Sequence, residues 1–554
     1  LILIIRYQVI AVIPKERNIM AANTYTSHAA SLSPTKSVTP QSRAIPGREA
    51  DMKTNNAGGV TFTLDQWGVL DRFLTLGSES AGYYVGKKDT TKMSFNTVKA
   101  CIAADGVRVV NRALEYSLAG RAPKNDPAVV AIALAAVFGN DETKQAAYDA
   151  LPRIARTGTW LFMFVSILDS MGKWNAAAKR GVAKWYTSKE MDKLALQLLK
   201  YQSRDGWAHR DVLRLAHVKP SSEVQSNLFR YAVKGELPEG AAVPQLLVDF
   251  EYLKRAEDKK TVLRLVEGNS NLTWEMVPTQ FLKDADVLSA LVVNMGLTAT
   301  IRKLGALTAH GVIAPLSAGT KNVIAKLSDV ESLRKQRVHP ITLLQAFKQY
   351  SVGHGEKGSL TWKADQRVLD AINDAFYASF ATQEKTDDSY LVGVDCSGSM
   401  FGAHVNGSPN LTAAEVAGVM ALAVVKNQPN YWIGGFNTKM GELKITPNMR
   451  LDAVLKVMQR FSWGGTDCAL PMMHASQHGM KVDKFVVLTD NETWAGSIQP
   501  VEALRDYRKK LNPMAKSIVI GTSVSEFTIA DPKDAGMLDI AGFDSAAPQL
   551  IAQL

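Results

Sequence analysis

The chain has 554 residues, 64 Lys and Arg against 53 Asp and Glu, a formal net charge of +11 and 46% apolar residues. This composition excludes a chain that is mostly disordered, collagenous or coiled coil, and the length allows about three to four domain equivalents. Three cysteines (Cys101, Cys396, Cys468) without a CxxC pair exclude a disulfide scaffold and a zinc ribbon, and fit a reducing, cytoplasmic compartment. The charge is uneven: residues 1–58 carry +4, residues 59–380 carry +10 and residues 381–554 carry −3. A basic block beside a slightly acidic one points to a polyanionic partner for the first and different work for the second. A basic surface kept for solubility fits the same numbers.

At the N-terminus, Leu1 to Ile13 is apolar but interrupted by Arg6 and Gln8. It is too short to span a bilayer and has no clear small-residue cleavage site. Met20 reads as the natural start, 1–19 as upstream sequence, and 20–58, with its Ser/Thr/Pro/Ala-rich run from Ser31 to Pro46, as a flexible tail. No other window reaches 18 apolar residues, so no membrane partner is expected.

From about Phe62 to Phe380, apolar residues recur at spacings of three and four between short polar turns. The pattern predicts helices over Val129–Phe138, Trp160–Met171, Met191–Tyr201, Asp211–His217, Asp286–Met295 and Pro340–Tyr350. With no βαβ rhythm and no strict sequence period, residues 59–383 read as an irregular, HEAT-like array of α-helical repeats whose concave faces suit an extended ligand.

Met191–Arg204 reads as one helix ended by Asp205-Gly206. Lys193, Lys200 and Arg204 then fall on one stripe, away from Leu194, Leu198 and Tyr201. The next predicted helix, from about Ala208 to Pro220, puts Arg210, Arg214 and His217 on one side, with Trp207 in the intervening turn. Ser222 and Gln225 form a capping-box pattern that opens another helix. Lys179, Arg180 and Lys184 make a second basic cluster ahead of Trp185-Tyr186; Arg334, Lys335 and Arg337 make a third. Cations contact phosphates and aromatic rings stack unpaired bases, so these stripes are candidate nucleic-acid contacts. Solvated helix faces produce the same pattern.

From Asp388 the rhythm changes. Strands are predicted at Ser389–Asp395, Tyr431–Phe436, Lys484–Asp490 and Ser517–Gly521, and helices at Ala413–Val425, Leu451–Arg460 and Gln499–Leu511. Alternating Val/Ile/Leu-rich strands and helices indicate a doubly wound parallel sheet over residues 384–554, with its site beyond the carboxyl ends of the strands. Asp395-x-Ser397-x-Ser399, the Gly464–Asp467 loop and Thr489–Glu492 fall at that place. The constellation resembles the metal-ion-dependent adhesion site of von Willebrand factor A domains. By that match Ser397, Ser399 and Thr466 supply hydroxyl oxygens, and Asp395 and Asp490 bind directly or through water. Hard oxygen donors favour Mg²⁺, or Mn²⁺, over zinc, with one position open to a carboxylate or phosphate. Ser397 and Ser399 also fit a plain helix cap.

Other motifs point elsewhere. Gly353-x-Gly355-x-x-Gly358 follows a helical pattern and not a strand, so it reads as a loop. His474 and His478 stand four apart without the Glu of a zincin and read as helix-surface residues. Cys396 and Cys468 adjoin the metal loops but read as small buried fillers.

A basic all-α array followed by an A domain with this metal motif resembles the Ro ribonucleoprotein autoantigen family, which joins a TROVE domain to a von Willebrand factor A domain, and in particular its bacterial Ro-related members. The stretches that carry the likeness are Arg72–Gly77, Trp207–Ser222, Val338–Pro340, Gly464–Asp467, Thr489–Thr493 and Phe527–Pro532, within a similarity running from about Val60 to the C-terminus. The resemblance implies a ring of helical repeats closed by the A domain. It implies an outer basic surface for small noncoding Y-like RNA, and a central hole for single-stranded 3′ ends of misfolded RNA. It carries Y RNA contacts onto Lys200, Arg204 and His217, and a basic pair onto Lys179 and Arg180. It further implies a monomeric, cytoplasmic, non-catalytic protein that works with an exoribonuclease in RNA quality control or turnover. Two other readings stay open. One is a metal-dependent protein-interaction scaffold without direct RNA binding. The other, a metal-dependent nuclease or phosphotransferase, lacks a second carboxylate cluster and a candidate base.

Overall fold

The computed structural model describes residues 38–78, 87–204, 206–355, 359–380, 385–405, 410–426, 428–460 and 464–554. Met20, the whole segment before Val38 and Gly358 of the glycine motif lie outside them. In chain order the strands are β1 (Met52–Thr54), β2 (Val60–Thr63), β3 (Ser203–Arg204), β4 (Trp207–Ala208), β5 (Ser389–Asp395), β6 (Asn430–Phe436), β7 (Met440–Glu442), β8 (Lys484–Thr489), β9 (Lys516–Gly521), β10 (Phe527–Thr528) and β11 (Met537–Ala541).

Between Gln66 and Ala378 the described residues are helical apart from short turns, single 3₁₀ turns and the β3–β4 hairpin, as the three-and-four periodicity predicts. Helices near one another in sequence pack together, and the array then closes on itself. Arg337 Nε donates to Leu118 O at 2.6 Å, and His339 Nε2 lies 3.1 Å from Arg121 O. Gly353 caps the Pro340–Val352 helix with φ +81, so the glycine motif begins as a helix terminator and not as a dinucleotide loop.

The A domain is a six-stranded sheet of order β11-β9-β8-β5-β6-β7, parallel except for the antiparallel edge strand β7. The period of two sorts its side chains between two cores. Val392, Val394, Val486, Leu488, Ile518 and Ile520 pack in one continuous core with the helical block. Leu391 and Phe485 face the opposite way, against the Leu470–Gln477 and Pro500–Lys510 helices. The chain leaves β5 toward β6 and returns to the other side of β5 with β8. The carboxyl ends of β5 and β8 therefore flank a topological switch point, where such sheets place their sites.

Two expectations need correction. Residues 38–58 are not a loose tail. β1 pairs with β2, and β2 pairs with β10, in a three-stranded sheet on the A domain. Gln41 is fully buried, donating to Asp467 Oδ1 at 2.7 Å and Ile498 O at 2.9 Å and accepting from Gly496 N at 3.1 Å. The polar composition that suggested disorder supplies hydrogen bonds to A-domain loops. The second correction is the predicted helix over Met191–Arg204, which ends at Lys200. Asp205 lies outside the described residues; on either side of it Arg204 pairs with Trp207 in a hairpin, with Gly206 at φ +81, and an Asp-Gly sequence is compatible with closing a hairpin as well as with stopping a helix.

Replacing Gln41 by Ala removes partners from Asp467, the Thr493 hydroxyl and two backbone groups, Ile498 O and Gly496 N, in the interior. It should destabilise the protein by about 2 kcal/mol in chemical denaturation. Ser42→Ala, on the exposed side of the same segment, should change stability by less than about 0.5 kcal/mol.

Candidate functional site

The expected metal residues come together. Asp395, Ser397, Ser399, Thr466 and Asp490 are all buried at the carboxyl ends of β5 and β8. Asp395 accepts from Ser397 N at 2.9 Å and from Thr489 Oγ1 at 2.6 Å, and the Ser397 and Ser399 hydroxyls lie 3.1 Å apart. Asp490 accepts from the Ser399 side chain and, at 3.1 Å, from Glu492 N. The Thr466 loop is tied in from both sides. Gly398 N donates to Gly464 O at 3.3 Å, and Trp494 N donates to Thr466 O at 3.0 Å. Ser397 occupies the N-cap position of the Gly398–Gly402 helix but makes no side-chain cap bond, so the plain capping account does not explain these serines.

Two carboxylates buried side by side are costly unless a cation or a proton neutralises them. Burial, and for Asp395 the neighbouring Asp490, pushes both acids above the ordinary carboxylate range. Burial and Asp490 also raise Glu492, to about 7, although Asn56 Nδ2 and Ala57 N donate to it at 2.7 and 3.0 Å. No described Lys or Arg pairs with Asp395, Asp490 or Glu492. The fit is to a small, hard divalent cation held by hydroxyls and two carboxylates. Among the described residues no group of three or more His, Cys, Asp or Glu is placed to hold a metal, so a softer, zinc-type site has no candidate there. All three cysteines are buried, and burial pushes the Cys396 and Cys468 thiols well up, as fillers require.

The predicted basic residues lie on neighbouring elements. The Ala176–Thr187, His209–Ala216 and Glu223–Lys234 helices pack in succession. Lys179 is half-buried, while Arg180, Arg210 and Arg214 are exposed. Lys200 ends its helix and Arg204 stands on β3, so the single helical stripe drawn through both does not exist. His217 lies one residue past its helix, exposed and left-handed at φ +50, not on the Arg210–Arg214 face. Trp207 is half-buried against the core through β4, not free in a turn. Pairing with acids is partial. Lys200 lies 3.8 Å from Glu275 and Arg210 3.4 Å from Asp211, whereas Lys179, Arg180 and Arg214 have no carboxylate partner among the described residues. Ser222 caps its helix as expected, but Gln225 reaches back to Ser221 N, one residue earlier than a capping box requires.

A further group was not legible in the sequence. A cavity of 570 Å³ between the 120–128 segment and the Leu297–Ala309 and Pro340–Val352 helices is lined by Lys124, Arg302, Lys303, Tyr350 and Trp362. A smaller one of 180 Å³ shares Lys124 and Arg302 and adds Arg156, Trp160 and Arg337. Lys303 sits 4.3 Å from the centre of the Trp274 ring, and Arg156 5.2 Å from that of Trp160. Burial and the nearby Arg337 pull the Arg156 guanidinium down to about 10. Only Arg337 belonged to a sequence cluster. The others come from segments far apart in the chain and leave no periodic trace.

Family models match over most of the chain: the TROVE domain over residues 53–267 and 268–349, and the Ro60 vWA domain over residues 389–554. The chain is 37% identical over 515 residues to the RNA-binding protein RO60 of Deinococcus radiodurans, covering 92% of this chain and 96% of that relative. It is 33% identical over 575 residues to the RNA-binding protein RO60 of Caenorhabditis elegans, covering 90% and 89%. Its structure is similar to the crystal structure of the Deinococcus radiodurans RO (RSR) protein, with a TM-score of 0.68, 36% identity, and coverage of 88% of this chain and 99% of that one.

The buried acids set a pH dependence. Their folded-state pKa values lie above the unfolded ones, so metal-free protein is most stable while they are protonated. That stability is lost as pH rises from the unfolded value, about 4, to about 7. In EDTA, melting temperature should fall across this window, and Asp395→Asn should flatten the fall by about 2 kcal/mol.

Proposed function

Because the chain belongs to the Ro family of RNA-binding proteins, with a TROVE domain and a Ro60 vWA domain, we propose that it holds a small noncoding Y-like RNA on the exposed cations of the 176–217 region and single-stranded 3′ ends in the basic cavity. The observation that carries the first half is the succession of packed helices whose Arg180 and Arg214 reach solvent without a described acidic partner, joined by an exposed Arg210 whose acidic neighbour is the adjacent Asp211. Lys179, Lys200, Arg204 and His217 border the same elements. Contacts of this kind are made to backbone phosphates, so recognition follows the shape of a folded RNA more than its sequence. What supports the second half is the cavity chemistry: cations beside Trp160, Tyr350 and Trp362 suit a flexible strand with unstacked bases, and rigid duplex suits it poorly.

The protein then acts as a non-catalytic, monomeric component of cytoplasmic RNA quality control or turnover, delivering bound RNA to an exoribonuclease. No described helix is long and apolar enough to cross a membrane. At the A domain, Asp395, Ser397, Ser399, Thr466 and Asp490 would hold Mg²⁺ or Mn²⁺, which supplies a Lewis-acidic position for an acidic group of a partner. Trp494, 44% exposed with its ring against Gly465, forms an aromatic rim beside Thr466. That rim favours a second reading, a metal-dependent protein scaffold, in which partner capture survives RNase treatment.

Lys200→Gln with Arg204→Gln should weaken binding of a Y-like hairpin RNA about tenfold at low salt and reduce the slope of log affinity against log salt by about 1–2. Unchanged gel-shift affinity would remove this surface from the reading. Mg²⁺ should raise the melting temperature of the wild type, more at pH 8 than at pH 5, by an amount equivalent to about 2 kcal/mol, and should not stabilise Asp395→Ala.

A further inference from the structure

The smaller cavity lies at the seam where the helical array closes. Arg156 and Trp160 come from the start of the Gly158–Ser170 helix, Arg302 from Leu297–Ala309, and Arg337 from the turn before Pro340–Val352. Arg156 Nη1 donates to Ser117 Oγ at 2.7 Å and Ser117 O at 3.3 Å, and Arg337 Nε donates to Leu118 O at 2.6 Å. Two guanidinium groups from opposite sides of the seam are thus anchored on consecutive residues, in the last turn of the Lys87–Ala119 helix.

These bonds engage Nη1 of Arg156 and Nε of Arg337 and leave the other nitrogens of each fork to the cavity side. Capping of that helix end does not account for three arginines around one 180 Å³ space. The carboxylate in the lining, Asp126, pairs with none of them, and no other described acid does. Nor does capping require Arg337 to take a left-handed backbone at φ +52, with its side chain so close that a Cβ on Gly120 would lie 2.8 Å from Arg337 Cβ. Strain at a charged, non-glycine residue in a cavity marks a position held there for its side chain.

We propose that this cavity is a phosphate-binding site, and that a phosphodiester of single-stranded RNA held between Arg156 and Arg337 latches the seam of the helical array. With the site empty, two like charges face each other across the seam. A bound phosphate gives each planar fork an opposite charge and converts that repulsion into a bridge. The larger cavity shares Lys124 and Arg302 with the smaller one, so a strand in the chamber runs past the seam, where Trp160 offers a face for a base. By linkage, whatever tightens the seam also tightens the grip on the strand. The inference rests on the single-strand reading of the chamber.

The test is hydrogen exchange on the full-length protein with an unstructured uridine RNA of about ten nucleotides. Bound RNA should slow exchange at 117–124 and 335–341 about tenfold in the wild type. Arg156→Gln with Arg337→Gln should abolish that protection and weaken oligonucleotide affinity about tenfold, leaving Y-like hairpin affinity unchanged. Arg156→Lys with Arg337→Lys, which keeps both charges but loses the forks, should show partial loss and covers failure of the first variant to fold. On the unaltered protein, a neutral methylphosphonate strand of equal length should give no seam protection. Equal protection by that strand, or seam protection that persists in a folded double variant, would overturn the latch. So would RNA that binds without protecting the seam, an outcome that leaves the chamber reading intact, whereas no oligonucleotide binding at all sinks both. Inorganic phosphate or pyrophosphate that protects the seam by itself would support the site and identify free phosphate as a competent occupant.

Discussion

Arg121 joins the three parts on which the architecture depends. Its guanidinium makes two bonds to Asp544 Oδ2, at 2.8 and 2.6 Å, although the two residues stand 423 apart in sequence. The same group pairs with Glu115 and lies over the Tyr116 ring, 4.1 Å from its centroid. Its carbonyl meets His339 Nε2 from the far end of the helical block and Ser545 N from the A domain. Asp544 is fully buried, so this charge pair works as a satisfied network and not as a surface ion pair. Helical arrays bury their faces only against neighbours, and the first and last repeats ordinarily need caps. Here each end meets the other and the A domain covers both. Arg72, fully buried and bonded to Asp539 and Phe527 O, makes a second such junction from the first helix into β10 and β11.

Closure of this kind separates charge. In the helical block Arg180 and Arg214 face solvent and Arg156, Arg302 and Arg337 line a cavity, where a polyanion can meet them without displacing a paired acid. The A domain does the reverse, burying Asp395 and Asp490 at the switch point of its sheet, where the hydroxyls of Ser397, Ser399 and Thr489 supply donors but no charge. The two halves thus differ in their electrostatics, with exposed cations over a wide surface of one and paired carboxylates buried at a point in the other. The N-terminal segment belongs to the second. Gln41 and Asn55–Ala57 bind the loops that flank Thr466 and Asp490, so the chain's beginning secures a site built from its end.

Much of this was legible without coordinates. Helical spacing marked the array, and buried apolar strands ending in polar residues marked the A domain within a residue or two of β5, β6, β8 and β9. The convergence of Asp395, Ser397, Ser399, Thr466 and Asp490 was readable because each follows a strand or loop recognisable by its local pattern. The Lys200–Arg204 stripe failed because an Asp-Gly sequence satisfies two local rules, helix stop and hairpin turn, and the helix ends at Lys200 with Arg204 already on β3. Residues 38–58 were misread because a Ser/Thr/Pro-rich composition signals missing apolar burial, whereas Gln41, Asn55 and Asn56 hold the segment with hydrogen bonds that composition does not register.

The sequence by itself determined the elements, their faces and the hydroxyl and carboxylate chemistry of the loops around Asp395, Thr466 and Asp490, since these follow from spacings of two to four residues and from side-chain type. Only the tertiary structure decided which cations share a cavity, which acids are buried together and where the array closes. Arg156, Arg302 and Arg337 converge across nearly two hundred residues of chain. Proximity at that separation is set by the packing of every helix between them, and no local pattern encodes it.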